Sequence, residues 1–78
     1  MVVQAYILIQ TDVGKAAEVA REVGAIKGVT TAEDVTGPYD VIAHAEAPSV
    51  DELGQLVVAK VQSVPGITRT VSCPVVHI

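Results

Sequence analysis

Six consecutive residues, Val35-Thr36-Gly37-Pro38-Tyr39-Asp40, hold the parts of a small polar binding site. Gly-Pro reverses the chain, and the amides of a tight turn converge well enough to receive a carboxylate. Asp40 beside the turn can take an ammonium group, and the ring of Tyr39 can keep water off both contacts, which strengthens each. The same residues also suit a purely structural turn, since Gly-Pro makes turns everywhere and an Asp next to one often bonds its own backbone.

The rest of the chain offers little further chemistry. A catalytic reading needs a nucleophile with a base, paired carboxylates in a cleft or a ligand cluster, and no motif joins the two histidines and one cysteine into any of these. His44 falls in the middle of a predicted strand and His77 one residue from the end; isolated histidines of this kind are more often surface or core residues than metal ligands or acid-base groups. Cys73 sits in an apolar stretch beside Pro74 with no basic neighbour to activate it, and it reads as a buried, inert thiol. Gly14 stands alone, without the further glycines of a phosphate loop, and reads as turn chemistry. Neither a catalytic residue, nor a metal, nor a cofactor is expected.

Composition narrows the class. Seventy-eight residues make one domain, 1–78, and a chain this short hides only about 60% of its extended surface, so self-association is expected. Five Lys and Arg against nine Asp and Glu give a net charge of −4, which opposes nucleic acid and anionic lipid alike. Apolar runs fall far short of the ~20 residues that span a bilayer. The single cysteine excludes an internal disulfide, and the start MVVQAYILIQ has no basic leader or small-residue cleavage site, so the cytoplasm is the expected compartment.

The elements that must position the turn follow from patterning. Sixteen Val, six Ile and six Thr favour strands, which are predicted at Val2 to Gln10, Gly28 to Thr36, Tyr39 to Glu46 and Ile67 to Val76. Ala16, Val19, Ala20 and Val23 form one helical stripe that Gly24 ends. Ser49 and Glu52 form a capping box that opens a second helix with Leu53, Leu56, Val57, Val61 and Val64 on its apolar side. Sliding the chain on itself by 38 residues sets Thr11 on Ser49 as the helix caps, Val19 on Val57, Val23 on Val61, Ile26 on Val64, and Gly28-Val29-Thr30 on Gly66-Ile67-Thr68. A repeated βαβ unit of this kind predicts an α+β, ferredoxin-like βαββαβ sandwich, with a four-stranded antiparallel sheet and both helices on one face. The first strand is apolar on both sides, Tyr6 and Leu8 opposing Val3, Ala5, Ile7 and Ile9, so a second copy is expected against the helix-free face.

Val35-Thr36-Gly37-Pro38-Tyr39-Asp40-Val41, followed by the capped helix and then by Pro65-Gly66-Ile67-Thr68-Arg69-Thr70-Val71-Ser72, resembles the ligand-binding domain of the Lrp/AsnC family, the leucine-responsive and asparagine-responsive regulators. The resemblance covers essentially the whole chain and rests on the G-x-Y-D turn combined with the strand entry P-G-I-x-x-T-x-S. It implies homodimers whose sheets face each other in an αβ-barrel, dimers assembled into an octamer or decamer ring, and a free amino acid bound between dimers. Residue by residue, Gly37, Tyr39 and Asp40 match the turn that holds the effector's main-chain groups, and Thr70 and Ser72 match polar positions of the fourth strand. Family members usually carry a helix-turn-helix domain ahead of this module, whereas here the chain opens at the first strand. The resemblance therefore implies a stand-alone RAM domain that makes no direct DNA contact and either senses amino acids or modulates full-length Lrp/AsnC regulators by mixed assembly. Two alternatives share the element order: a small αβ-barrel enzyme of the monooxygenase or isomerase kind, for which His44 is the candidate group, and an ACT-type regulatory domain with its effector contact near Gly14.

Overall fold

The computed structural model describes residues 2–76, with the backbone alone at 56–58. One antiparallel sheet, in the order β2-β3-β1-β4, is built from β1 (Val3–Thr11), β2 (Val29–Asp34), β3 (Val41–Ala47) and β4 (Ile67–Pro74). Helix α1 (Ala16–Gly24) carries the chain from β1 over β3 to β2. Helix α2 (Val50–Gln55), prolonged by a π-helical segment (Leu56–Val61), carries it from β3 over β1 to β4. This is the predicted ferredoxin-like split βαβ pair.

Register decides which residues become core. Ala5, Ile7 and Ile9 of β1 pair with Ala45, Ala43 and Val41 of β3, and all six are buried beneath the helices. The alanines among these six leave room for Val19 and Val23 of α1, both fully buried, and this complementarity gives a small core its packing density. Leu53 and Val61 close the other side. They lie eight residues apart, whereas two α-helical turns take about 7.2. Such a pair still shares one face of a helix, and both side chains are buried against the sheet although the chain between them widens into the π segment. The predicted helix 2 stripe is thus carried at Leu53 and Val61, with Val64 packed beside it; the side chains of Leu56 and Val57 lie outside the described residues, as does His77.

The helix exits repeat as the 38-residue alignment requires. Gly28 and Gly66 both adopt positive φ, 100° and 95°, at the entrance to β2 and β4. Each offers its carbonyl to the other half of the chain: Gly28 accepts from the Glu46 amide and Gly66 from the Asp12 amide, both at 2.8 Å. The helix entrances do not repeat. Ser49 caps α2 by accepting the Glu52 amide on Oγ at 3.2 Å, but Thr11 is no cap. It ends β1 beyond a bulge at Gln10/Thr11, and Lys15, with no side-chain cap bond, precedes α1. Gly14, at φ 81°, supplies the intervening turn.

The helix-free face presents Tyr6, Leu8, Ile42 and, opposite Leu8, Val71. Tyr6 is 49% exposed and Ile42 37%, so this face is an apolar row open to solvent in the single chain. Cys73 corrects the sequence expectation: it is exposed, because pairing with Tyr6 turns its side chain to the open face. Apolar neighbours alone do not set which side of a strand is buried; register does.

Candidate functional site

The β2–β3 hairpin is fastened to the end of β1. Val35 and Asp40 close the turn with a 2.8 Å bond from the Val35 amide to the Asp40 carbonyl. The Asp40 amide donates to the Ile9 carbonyl at 2.9 Å, and its carboxylate Oδ2 accepts the Thr11 amide at 2.8 Å. Gln10 adds a bond from Nε2 to the Pro38 carbonyl at 3.1 Å. These bonds accompany the end of β2 at Asp34 and the start of β3 at Val41, each inside the predicted bounds: Val35 and Asp40 close the turn, and Asp40 is also tied to β1. Beside this clamp the β1–β4 pairing shifts: Gln10 and Thr11 oppose Arg69 and Ile67, which leaves Thr68 of β4 as the extra residue.

Gly37, Tyr39 and Asp40 are therefore brought together on one rigid turn. Gly37 has φ 141°, where side chains with a Cβ are strained, although a Cβ there would meet nothing within 4 Å. Its glycine is required by the backbone and not by crowding. Tyr39 and Asp40 are half-buried. Asp40 spends Oδ2 on the Thr11 amide, and Oδ1 is the oxygen left to meet a cationic group.

Thr70 and Ser72 sit apart from the turn. They pair with Ile9 and Ile7, so both lie on the helix-facing side of β4, with β1 between them and the hairpin. Thr70 is level with the hairpin end of the sheet and accepts a bond from Gln62 Nε2 at 3.0 Å on Oγ1; Ser72 is one pleat farther away. Within one chain the five sequence-selected residues form one cluster of three and two outliers. Thr11 and Gln10, which complete the clamp, have no sequence signature because their partners are 28 or more residues away.

His44 is occupied differently. Its Nδ1 lies 2.6 Å from Thr30 Oγ1 and its Nε2 3.2 Å from Gln4 Oε1, with the Tyr6 ring edge-on at 5.0 Å, in a polar bar across three strands of the open face. Among the described residues no three His, Cys, Asp or Glu side chains are placed to hold a metal ion, and no helix is long and apolar enough to cross a membrane.

Fold and hairpin together define a ferredoxin-like βαββαβ module with a fixed polar turn at one end of its sheet. The chain belongs to the Lrp/AsnC ligand binding domain family, whose model matches residues 4–78. An uncharacterized helix-turn-helix-type transcriptional regulator of Pyrococcus furiosus is 31% identical over 55 residues, which are 70% of this chain and 37% of that protein. The chain thus spans well under half the length of the curated relatives it matches. A hypothetical protein from Pyrococcus horikoshii has the same structure at 32% identity and a TM-score of 0.88, over 100% of this chain and 93% of that one. A transcriptional regulator of Neisseria meningitidis, solved as its complex with L-Met, shares the fold at 22% identity and a TM-score of 0.82, over 96% of this chain and 50% of that one. The family is one of transcriptional regulators, not of enzymes.

Proposed function

We propose that this chain senses free amino acids at the hairpin, as a homodimer that assembles into an octamer or decamer ring, and acts through full-length Lrp/AsnC regulators without gripping DNA itself. The observation that carries the reading is the clamp on Asp40. Main-chain bonds from Ile9, Thr11 and Val35 fix this residue, so its free oxygen offers an ammonium group a negative charge that needs no further ordering on binding. Turn amides around Gly37 complement it for the carboxylate. The L-Met bound by the Neisseria relative supports an amino acid as the ligand class. Thr70 and Ser72 lie too far across the sheet to join the hairpin of their own chain, which suits a ligand held where a second copy contributes its β4 edge. The open row of Tyr6, Leu8, Ile42 and Val71 supplies the apolar surface for sheet-to-sheet pairing, and the charge of −4 argues against an electrostatic hold on DNA.

The test is a thermal-shift screen of the common amino acids, followed by calorimetric titration of the one that responds, with oligomeric state followed by light scattering. A ligand at ~100 times its Kd raises apparent stability by about 2.7 kcal/mol. Asp40→Asn keeps an oxygen for the Thr11 amide but removes the charge, so it should lose about 2–5 kcal/mol of binding while melting near the wild type. Lys15→Ala, which removes an exposed side chain that makes no bond to the hairpin clamp, should bind as the wild type does. Equal affinity in wild type and Asp40→Asn would overturn the site.

A further inference from the structure

At the end of the sheet opposite the hairpin, the loop between α1 and β2, the end of β3, and α2 with its π segment enclose a cleft of about 310 Å³. Lys27, Gly28, Glu46, Glu52, Gln55 and Lys60 line it. Two of the five cationic side chains of a chain with net charge −4 therefore gather at one place, beside the Glu52 carboxylate. They do not neutralise one another: among the described residues the ion pair within 4 Å is Lys15 with Glu18, at 3.7 Å, elsewhere in the molecule.

The internal repeat supplies the control. Moved by 38 residues, Lys27-Gly28 becomes Pro65-Gly66 and Lys60 becomes Glu22, and these residues line a smaller cleft of about 170 Å³ together with Asp12, Lys15 and Glu18. There the one lysine is already engaged by Glu18, and three of the four charged groups are not cationic. The same position in the fold is thus compatible with a small acidic dent, and its enlargement with unpaired charge of both signs is particular to the second half. Lys60, moreover, is delivered by the π-helical segment, a rare winding that concentrates at functional sites, whereas α1 keeps regular helix at the equivalent Glu22.

We propose that this cleft is a second binding site, for a small zwitterion. Glu52 receives the ammonium group, Lys27 and Lys60 receive the carboxylate, and the Gln55 amide can serve either end; Glu46 borders the cleft through its backbone, since its side chain shares the helix-free face with Gln4. A volume of about 310 Å³ lies at the lower end of the range typical of small-molecule sites and suits a ligand the size of an amino acid. A singly charged molecule would leave either Glu52 or the two lysines uncompensated, so both charges are needed on one ligand. The site is independent of the hairpin: it shares no residue with it and lies at the other end of the sheet.

The experiment is an amide-resolved NMR titration of the whole chain with glycine and with γ-aminobutyrate, a short and a long zwitterion, and with acetate and methylammonium as single-charge controls. Saturable shifts at the amides of Lys27, Gly28, Glu46 and Ala47 are expected with at least one of the two zwitterions, and with neither control. Lys27→Gln and Lys60→Gln, both at exposed positions, should each weaken that binding about tenfold, the loss of one charge-assisted hydrogen bond, with unchanged melting curves. Asp40→Asn should leave it unaltered, and shifts confined to residues 37–41 would report the hairpin site alone. Absence of saturable shifts at the cleft, equal shifts with acetate or methylammonium, or full affinity in both lysine variants would overturn the proposal without touching the hairpin reading.

Discussion

Where α1 hands over to β2, the Val23 carbonyl accepts the Ile26 amide at 3.1 Å; thirty-eight residues on, Val61 and Val64 make the same bond at the same length. Gly28 and Gly66 then turn the chain into the sheet with nearly equal φ. The helix starts have nothing in common. The first has no side-chain cap and opens on Ala16, while the second is capped by Ser49, places Gly54 where the first has Ala16, and widens into a π segment. The contrast has a physical reason. A strand entry fixes register, and a slip of one residue would turn every buried side chain outward. A helix start only has to satisfy a few amides, which water or a cap can do equally well. Divergence collects where the sheet tolerates it, and the open charged cleft lies beside the half that diverged.

The same distinction governs what could be read from sequence. The exits were legible because Gly28, Gly66 and the apolar residues before them act on their immediate neighbours, and so was the Ser49 cap. Gly37, Tyr39 and Asp40 were legible as a cluster because they are contiguous. Thr11 was misread as a cap because β1 runs on to it through pairing with β4 and a bond to Asp40, both distant in sequence. Cys73 was placed inside because parity along β4 depends on its register with β1. The π winding left no mark, since Leu53, Leu56, Val57 and Val61 also fit an ordinary helical stripe. Lys27, Glu52 and Lys60 come from a loop, from α2 and from the π segment, and no spacing rule could have assembled them.

The comparison breaks most visibly in the core. Val23 and Val61 are equivalent in the repeat and both fully buried. Val23→Ala and Val61→Ala should each lose about 1.5–3 kcal/mol of stability, and by similar amounts. Urea denaturation of the two variants checks this. A much smaller loss at Val61 would mean that the π segment, unlike α1, is only loosely seated on the sheet.

A smaller effect sharpens the difference between the starts. Ser49→Ala removes the bond to the Glu52 amide and should cost about 1 kcal/mol, the usual worth of an N-cap. Lys15→Ala at the corresponding start should change stability by only a few tenths of a kcal/mol, because Lys15 provides no cap and its pair with Glu18 is exposed. Equal losses in thermal melts would show that α1 is capped after all by a group acting in solution.

The smallest change runs in the opposite direction. Gly54 occupies the interior of α2, is exposed, and has open space where a Cβ would stand. Its φ is not positive, so alanine can adopt the same backbone without strain. Glycine in a helix interior forfeits about 0.5–1 kcal/mol relative to alanine, because the unfolded chain has more conformations to lose. Gly54→Ala should therefore stabilise the protein by that amount and raise Tm by a few degrees, making the second start resemble the first, where Ala16 already stands. If Gly54→Ala lowers Tm instead, the glycine serves the winding that follows it, and the π segment depends on a loosened turn before it. The zwitterion titration on the same variant separates the two uses of that segment: with α2 stiffened and Lys60 undisturbed, affinity at the cleft should hold, whereas a parallel loss of affinity would tie the position of Lys60 to the freedom that Gly54 provides.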